Sequence, residues 1–279
     1  VNKMKVFLIN SFNSSKYVKN AQRLSNELYA NDFTSVIVYG GASDFACLQL
    51  SDKKWVISIK ENLSDNNAFL GFERAFNVGM FRENDFKSAT YIYIHDTCQL
   101  SDNFVDRVNQ IPAVSGWVFA HIYGLYNIGA CDLRFLLTRA NDLKGITHIP
   151  KDKSIALEQG ETINIEGLEL KPLLHYSQRT LATVITNTIS NCDFMSLNAI
   201  GESSDSKRFV TYIGALGLYK LVGSHVSYFV PIWATPSHEV RTQADYETMK
   251  ASFSKIQLSI PEHALGTITP WIPLPPSVD

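Results

Sequence analysis

Short apolar runs alternate with amphipathic stretches through the first hundred residues. The β-prone run Lys-Val-Phe-Leu-Ile-Asn at 5–10 predicts a buried strand, closed by a polar loop over 11–15. Val18, Ala21, Leu24 and Leu28 then recur at helical spacing until Asn31 and Asp32 end the pattern. Further runs at 35–39 and 55–59 predict the second and third strands. Phe69, Phe72, Phe76 and Gly79 share one face of a helix expected over 67–80, and 91–94 predicts a fourth strand. Strands and helices alternating at this rhythm predict an α/β fold, with a mostly parallel central sheet and helices on both faces.

The pattern changes in the second half. Ser101 is placed to cap a short helix carrying Phe104, Val108 and Ile111, which Pro112 stops. Residues 114–122, with Trp117, read as a strand, 123–129 as an aromatic loop and 133–143 as a helix. Between 155 and 174 the residues alternate. Ile163/Ile165 and Leu168/Leu170 flank Glu166-Gly167, which predicts antiparallel strands. The β-branched residues of 179–189 oppose helix formation, so that stretch stays open between helix and strand. Phe209, Tyr212, Ile213 and Leu216 predict an amphipathic helix broken at Gly217, and 226–230 a short strand. Pro270, Pro273, Pro275 and Pro276 make 261–279 an extended tail. With neither repeat nor linker, a single domain over 1–279 is expected, in a first half (1–112), a second half (113–260) and the tail.

Composition removes several classes. A formal charge of -2 leaves no electrostatic footprint for nucleic acid. No apolar run approaches the roughly 18 residues of a membrane helix, and the amino end reads as a first strand rather than a signal peptide. Cys47, Cys98, Cys131 and Cys192 stand far apart, without a Cys-x-x-Cys pair, so a cysteine zinc site is not expected. Reduced thiols point to a cytoplasmic protein, associated with membranes only through partners.

The candidate chemistry starts at the fourth strand, which presents His95 and Asp96 at its end. A dinucleotide fold for hydride transfer needs glycines in its first turn, and 11–16 has none. A sugar-nucleotide pyrophosphorylase would need a glycine-rich basic loop there, also missing. Ahead of the fourth strand stands Glu-Arg-Ala-Phe-Asn-Val-Gly at 73–79, and Tyr-Ile-Tyr-Ile-His-Asp-Thr-Cys follows at 91–98. About a hundred residues later comes Glu-Ser-Ser-Asp-Ser-Lys-Arg at 202–208, then Gly-Leu-Tyr-Lys-Leu at 217–221. Over roughly residues 4–230 this arrangement resembles the GT-A class of nucleotide-sugar glycosyltransferases, in particular the large inverting family that shares its plan with cellulose and chitin synthases. That family has an Ala-Arg-Asn-x-Gly helix end, an Asp-x-Asp strand end, and a later Glu-Asp-x-Asp-x-x-Arg followed by Gly-Tyr-x-Leu.

The resemblance implies a GT-A-like (Rossmann-like) three-layer sandwich with an antiparallel acceptor-side half. It also implies transfer of a sugar from a nucleotide-diphosphate sugar to a hydroxyl of a glycan or polysaccharide, with inversion. A degenerate domain that binds sugar nucleotide or glycan without turnover is the alternative. Glu202 becomes the catalytic base, with Asp205 beside it in a helix-start or catalytic role. Ser11, Asn13, Asp44, Arg74, Asn77, Asp96 and Cys98 become donor contacts, and Arg208 and Trp117 acceptor-side or helix-start residues. Tyr123 and Tyr126 would join Trp117 as a stacking platform. Mg2+ or Mn2+ would sit on Asp96 and His225. Cys98 stands where the family has its second acid, however, and sulfur is a poor ligand for those hard cations.

Overall fold

The computed structural model describes residues 4–81, 84–120, 127–177, 179–186 and 208–223. The chain begins β1 (Lys5–Phe12), α1 (Ser15–Ala30), β2 (Thr34–Gly40), β3 (Ala46–Ser51), β4 (Lys54–Ser58), a 3-10 turn (Ser64–Asn66), α2 (Asn67–Asn77), α3 (Asn84–Ser88) and β5 (Thr90–His95). It continues with β6 (Cys98–Leu100), α4 (Phe104–Gln110), β7 (Trp117–Phe119), β8 (Gly129–Cys131), α5 (Leu133–Asp142), α6 (Lys151–Glu158), β9 (Ile163–Ile165) and β10 (Leu168–Leu170). A second 3-10 turn (Leu173–Tyr176), α7 (Leu181–Thr186), β11 (Arg208–Ile213) and β12 (Leu218–Gly223) follow. Two units emerge: residues up to Asp96 with Ile111–Leu181, and Thr97–Gln110 with residues from Ala182 on. The first unit therefore draws its strands from both sides of residue 112.

In the first unit a seven-stranded sheet runs β3-β4-β2-β1-β5-β8-β7. Strands β4, β2, β1 and β5 are mutually parallel, while β3 and β8 run against their neighbours. The fold is thus α/β with a mixed, mostly parallel sheet, as the alternation of patterns predicts. One face, built by Val6, Leu8, Val36, Val38 and Ile57, packs in one core with Phe69 and Phe72 of α2. Alternation turns Phe7, Ile9 and Ile37 to the other face, where α1 packs with Ala21, Leu24 and Leu28 fully buried. Burying each such side chain contributes roughly 1.5–3 kcal/mol, more than the ~1 kcal/mol of a net hydrogen bond. The apolar layers therefore hold the sheet, and the polar groups at its ends fix the detail.

Gly71 is what allows α2 to lie so close. A Cβ added there would stand 2.4 Å from Val38 Cγ1 on β2. In the second unit β11, β12 and β6 form an antiparallel sheet. The Ser101 hydroxyl lies 2.6 Å from both the Gly217 carbonyl oxygen and Asn103 Oδ1, at the entry to α4.

Several expectations are corrected. Residues 208–213 form a strand instead of a helix, so Arg208 starts β11 and is no helix-start residue. Phe-Val-Thr-Tyr-Ile is a β-branched and aromatic run, and Gly217, at φ 60°, closes the hairpin to β12. β3 escapes the pattern because its residues are mostly exposed and bury no face. Cys98, nominated as a donor contact, begins β6. Residues 151–158 form a helix where alternating texture was expected from 155. The β9–β10 hairpin forms as expected, with Glu166 and Gly167 both at positive φ in its two-residue turn. The expected strand at 226–230 and the tail lie outside the described residues. Among the described residues no helix is long and apolar enough to cross a membrane.

Gly71→Ala tests the α2–β2 contact. On an open helix this change stabilises by up to about 1 kcal/mol; against Val38 it is expected to destabilise by about 1–3 kcal/mol. Urea denaturation reads the difference, and a gain in stability would contradict the close approach.

Candidate functional site

The parallel strands end in polar residues, and the strand order reverses at β1. The chain leaves β1 for β2 and β4 on one side and returns to β5 on the other. Such a reversal opens a crevice at the carboxyl ends of the strands, where α/β proteins bind ligands. Ser11 closes β1 there and donates its hydroxyl hydrogen to Asp96 Oδ2 at 2.8 Å. The Asp96 amide donates to the Asn10 carbonyl at 3.1 Å. Both side chains are almost fully buried, at 3% and 5% exposure. α1 begins just beyond, and its first turn carries no acid of its own to neutralise the positive end of the helix.

Two asparagines anchor this edge. Asn10 Nδ2 donates to the Ser64 carbonyl at 3.0 Å, and its Oδ1 accepts from the Ala68 amide at 3.0 Å. Asn67 donates to the carbonyls of Ser11 (3.2 Å) and Ser64 (2.8 Å) and accepts from the Leu63 amide at 2.7 Å. Its amide packs over Gly40, where a Cβ would come within 2.3 Å of it. Tyr39, the next residue inward on β2, has a buried hydroxyl without a hydrogen-bond partner among the described residues. Burial, and secondarily the Asp96 charge, push its pKa up to about 12.

His95 points to the opposite face and opens a second polar cluster. Its Nδ1 lies 3.7 Å from Asp65 Oδ1. Asn127 Nδ2 donates to Asp65 Oδ2 and to Glu158 Oε1, both at 2.8 Å. The Tyr93 hydroxyl donates to the Asp65 carbonyl, and burial, reinforced by Asp65, holds that phenol well above its usual range. Arg139, 1% exposed, donates to Asn66 Oδ1 from Nε (3.1 Å) and Nη2 (2.8 Å) and to the Lys171 carbonyl from Nη1 (2.8 Å). Its pKa is lowered by burial. Asp65, Asn66, Asn127, Arg139, Ser154 and Glu158 border a small cleft that opens to solvent.

Ser11 and Asp96 are thus brought together, and the other nominated residues are spread out. Asn13 is exposed, with its amide donating to the Gly40 carbonyl at 2.9 Å. Asp44 is exposed near the end of β4, where its carbonyl accepts from the Ser58 hydroxyl at 3.1 Å. That is three strand spacings, roughly 14 Å, from β5. Arg74 forms a two-pronged pair with Glu61, at 2.7 and 2.6 Å. Burial opposes the charge on Glu61, but the Arg74 hydrogen bonds hold its carboxyl below the usual range. Asn77 ends α2, about 15 Å along the helix from Asn67, and donates to Glu73 Oε1 at 2.8 Å. Trp117 is corrected to a core residue. It is 1% exposed among Phe69, Tyr93 and Phe135, so no sugar can stack on it. Cys98 is fully buried in the other unit, paired in register with Lys220. Glu202, Asp205, His225, Tyr123 and Tyr126 lie outside the described residues.

The His95–Asp65–Asn127–Glu158 cluster and Arg139 are not foreseen by sequence reasoning. A signal existed for Arg139, which shares the buried side of α5 with Phe135, Leu136 and Ala140. A charge on an apolar stripe implies an internal partner. Among the described residues no three His, Cys, Asp or Glu side chains are grouped to hold a metal ion. No protein-family model matches the chain, and neither do the curated proteins or solved structures with which it was compared.

The Tyr39 phenol gives a pH prediction. Above pH 10 the unfolded chain releases a proton that the folded state retains up to about 12. The resulting stability is complete below pH 10 and is lost as pH rises through 12, on the order of 2 kcal/mol. Tyr39→Phe is expected to be neutral or slightly stabilising at pH 7, since the hydroxyl lacks a partner among the described residues, and to flatten the decline between pH 10 and 12. Denaturation curves across that range check it; an unchanged slope contradicts it.

Proposed function

We propose that the protein is a glycosyltransferase with a GT-A-like domain, moving a sugar from a nucleotide-diphosphate sugar to a glycan or polysaccharide hydroxyl with inversion. The observation that carries this reading is the Ser11–Asp96 hydrogen bond at the point where the strand order reverses. Fixed at the carboxyl edge by the Ser11 hydroxyl, Asp96 is the acceptor we assign to the hydroxyls of a donor ribose. The order of elements adds support. The third parallel strand, β4, leads to α2 with the 73–79 signature at its end, then to β5 and Asp96, the order that the resemblance implies.

In the proposed reaction the acceptor oxygen forms a bond to the anomeric carbon while the bond from that carbon to the diphosphate breaks. The acceptor proton passes to the Glu202 carboxylate, and the nucleoside diphosphate departs with the bonding electron pair. The amino end of α1, next to the end of β1, suits the negative charge that develops. Of the residues nominated for a cation only Asp96 is among those described, and one carboxylate is far short of the oxygen shell that Mg2+ or Mn2+ requires. No metal step is assigned. The buried Cys98, where a second acid would stand in the resemblance, favours a second reading: a domain that binds the same donors without turnover.

A panel of UDP-, GDP- and CMP-sugars, with and without EDTA, separates these readings by nucleotide release and by binding. Release supports transfer, binding without release supports the second reading, and neither sinks both. Glu202→Gln is expected to lower turnover about 10²–10⁴-fold while leaving donor affinity within a few-fold, and unchanged turnover would remove Glu202 as the base. Asp96→Ala is expected to weaken donor binding about tenfold or more in a calorimetric titration. Wild-type affinity would reduce Asp96 to a turn residue.

A further inference from the structure

The carboxyl end of β2 holds a polar group that the site described so far leaves unused. Tyr39 pairs in register with Ser11 of β1 and Ser58 of β4, so alternation turns its side chain to the face that α1 covers. α1 starts at Ser15, three residues beyond the end of β1, and packs on β1 and β2. Its first turn therefore stands over the carboxyl end of β2, and the phenol projects from the sheet towards it. Tyr39 is 7% exposed, and its hydroxyl is buried without a hydrogen-bond partner among the described residues. A hydroxyl held this way costs free energy until a partner arrives. The helix end offers the matching half. The Ser14 side chain caps none of the first-turn amides, and no acid stands in that turn.

We propose that Tyr39 is a phosphate-binding residue, its hydroxyl and the first-turn amides of α1 together holding the diphosphate of a nucleotide above β2. The identity of the anion rests on the sugar-nucleotide reading; the anion site itself does not. Strand order keeps the anion clear of the Asp96 carboxylate. β1 lies between β2 and β5, so the backbones of Tyr39 and Asp96 stand two strand spacings apart, roughly 10 Å. A ribose on Asp96 leaves its phosphates room over β2. Burial and the Asp96 charge hold the phenol protonated at neutral pH, so the hydroxyl donates to a phosphate oxygen. Because that hydroxyl is closed to solvent, the entering anion displaces the turn that leads into α1, where Asn13 and Ser15 are exposed.

Calorimetric titration of the intact chain at pH 7 with pyrophosphate, UDP, GDP and CDP tests this. Pyrophosphate and at least one nucleoside diphosphate are expected to bind, and Tyr39→Phe to weaken both about tenfold or more without lowering thermal stability. Ser15→Asp, at an exposed position, is expected to weaken both as strongly while keeping or raising stability, since an acid suits the start of a helix. If none of the four ligands binds, or Tyr39→Phe binds them like the wild type, the proposal is overturned. Binding that survives Ser15→Asp removes the helix end from the site. Tyr39-dependent binding of pyrophosphate with no response to any sugar nucleotide supports the anion site and removes the glycosyltransferase reading. Sugar-nucleotide turnover with donor affinity unchanged in Tyr39→Phe does the reverse.

Discussion

The carboxyl edge of the sheet depends on one constraint. Backbone groups released where β1 ends and α2 begins are buried, and a buried unpaired amide or carbonyl costs about 1–3 kcal/mol. Asn10 and Asn67 meet that demand. Between them they satisfy the amides of Leu63 and Ala68 and the carbonyls of Ser11 and Ser64. The result ties the last residues of β1 to the turn that starts α2. Asp96 stands at a fixed height above the sheet because its amide bonds the same Asn10 backbone and its carboxylate bonds the neighbouring Ser11. These asparagines are thus the support behind the position of Asp96.

The end of β5 divides two chemistries between consecutive residues. Asp96 joins Ser11 on the face that packs α1, whereas His95 joins Asp65 on the face of α2. On the second face Asp65 and Glu158 converge on one amide of Asn127. Arg139 lies close by but spends its donors on Asn66 and the Lys171 carbonyl. Arg74, the other cation considered for an anionic donor, is matched to Glu61. The edge is therefore rich in acids, and both arginines named here are already committed. For a diphosphate the favourable direction of approach is over the amino end of α1, whose first turn adds no carboxylate. On the proposed reading, a sugar-nucleotide donor approaches on the Ser11 side of the sheet.

The sequence displays the parallel core clearly, since runs such as Val-Phe-Leu-Ile in β1 and Val-Ile-Val-Tyr in β2 are buried on both faces. Asp96 is legible for the same reason, as a polar residue ending such a run. Of the antiparallel parts, the β9–β10 hairpin is legible and β7 fills part of the strand expected at 114–122. β8 and β6 have three residues each, too few for a period to show, and β3 buries no face. β11 misleads more seriously, because Phe209, Tyr212 and Ile213 satisfy helical spacing while their chemistry favours a strand. Trp117 is ambiguous in another way, as an aromatic residue in a short run suits a core or a platform equally until burial decides. The Asp65–Asn127–Glu158 cluster joins residues up to 93 apart in the chain (158 minus 65), and no local pattern encodes such a meeting.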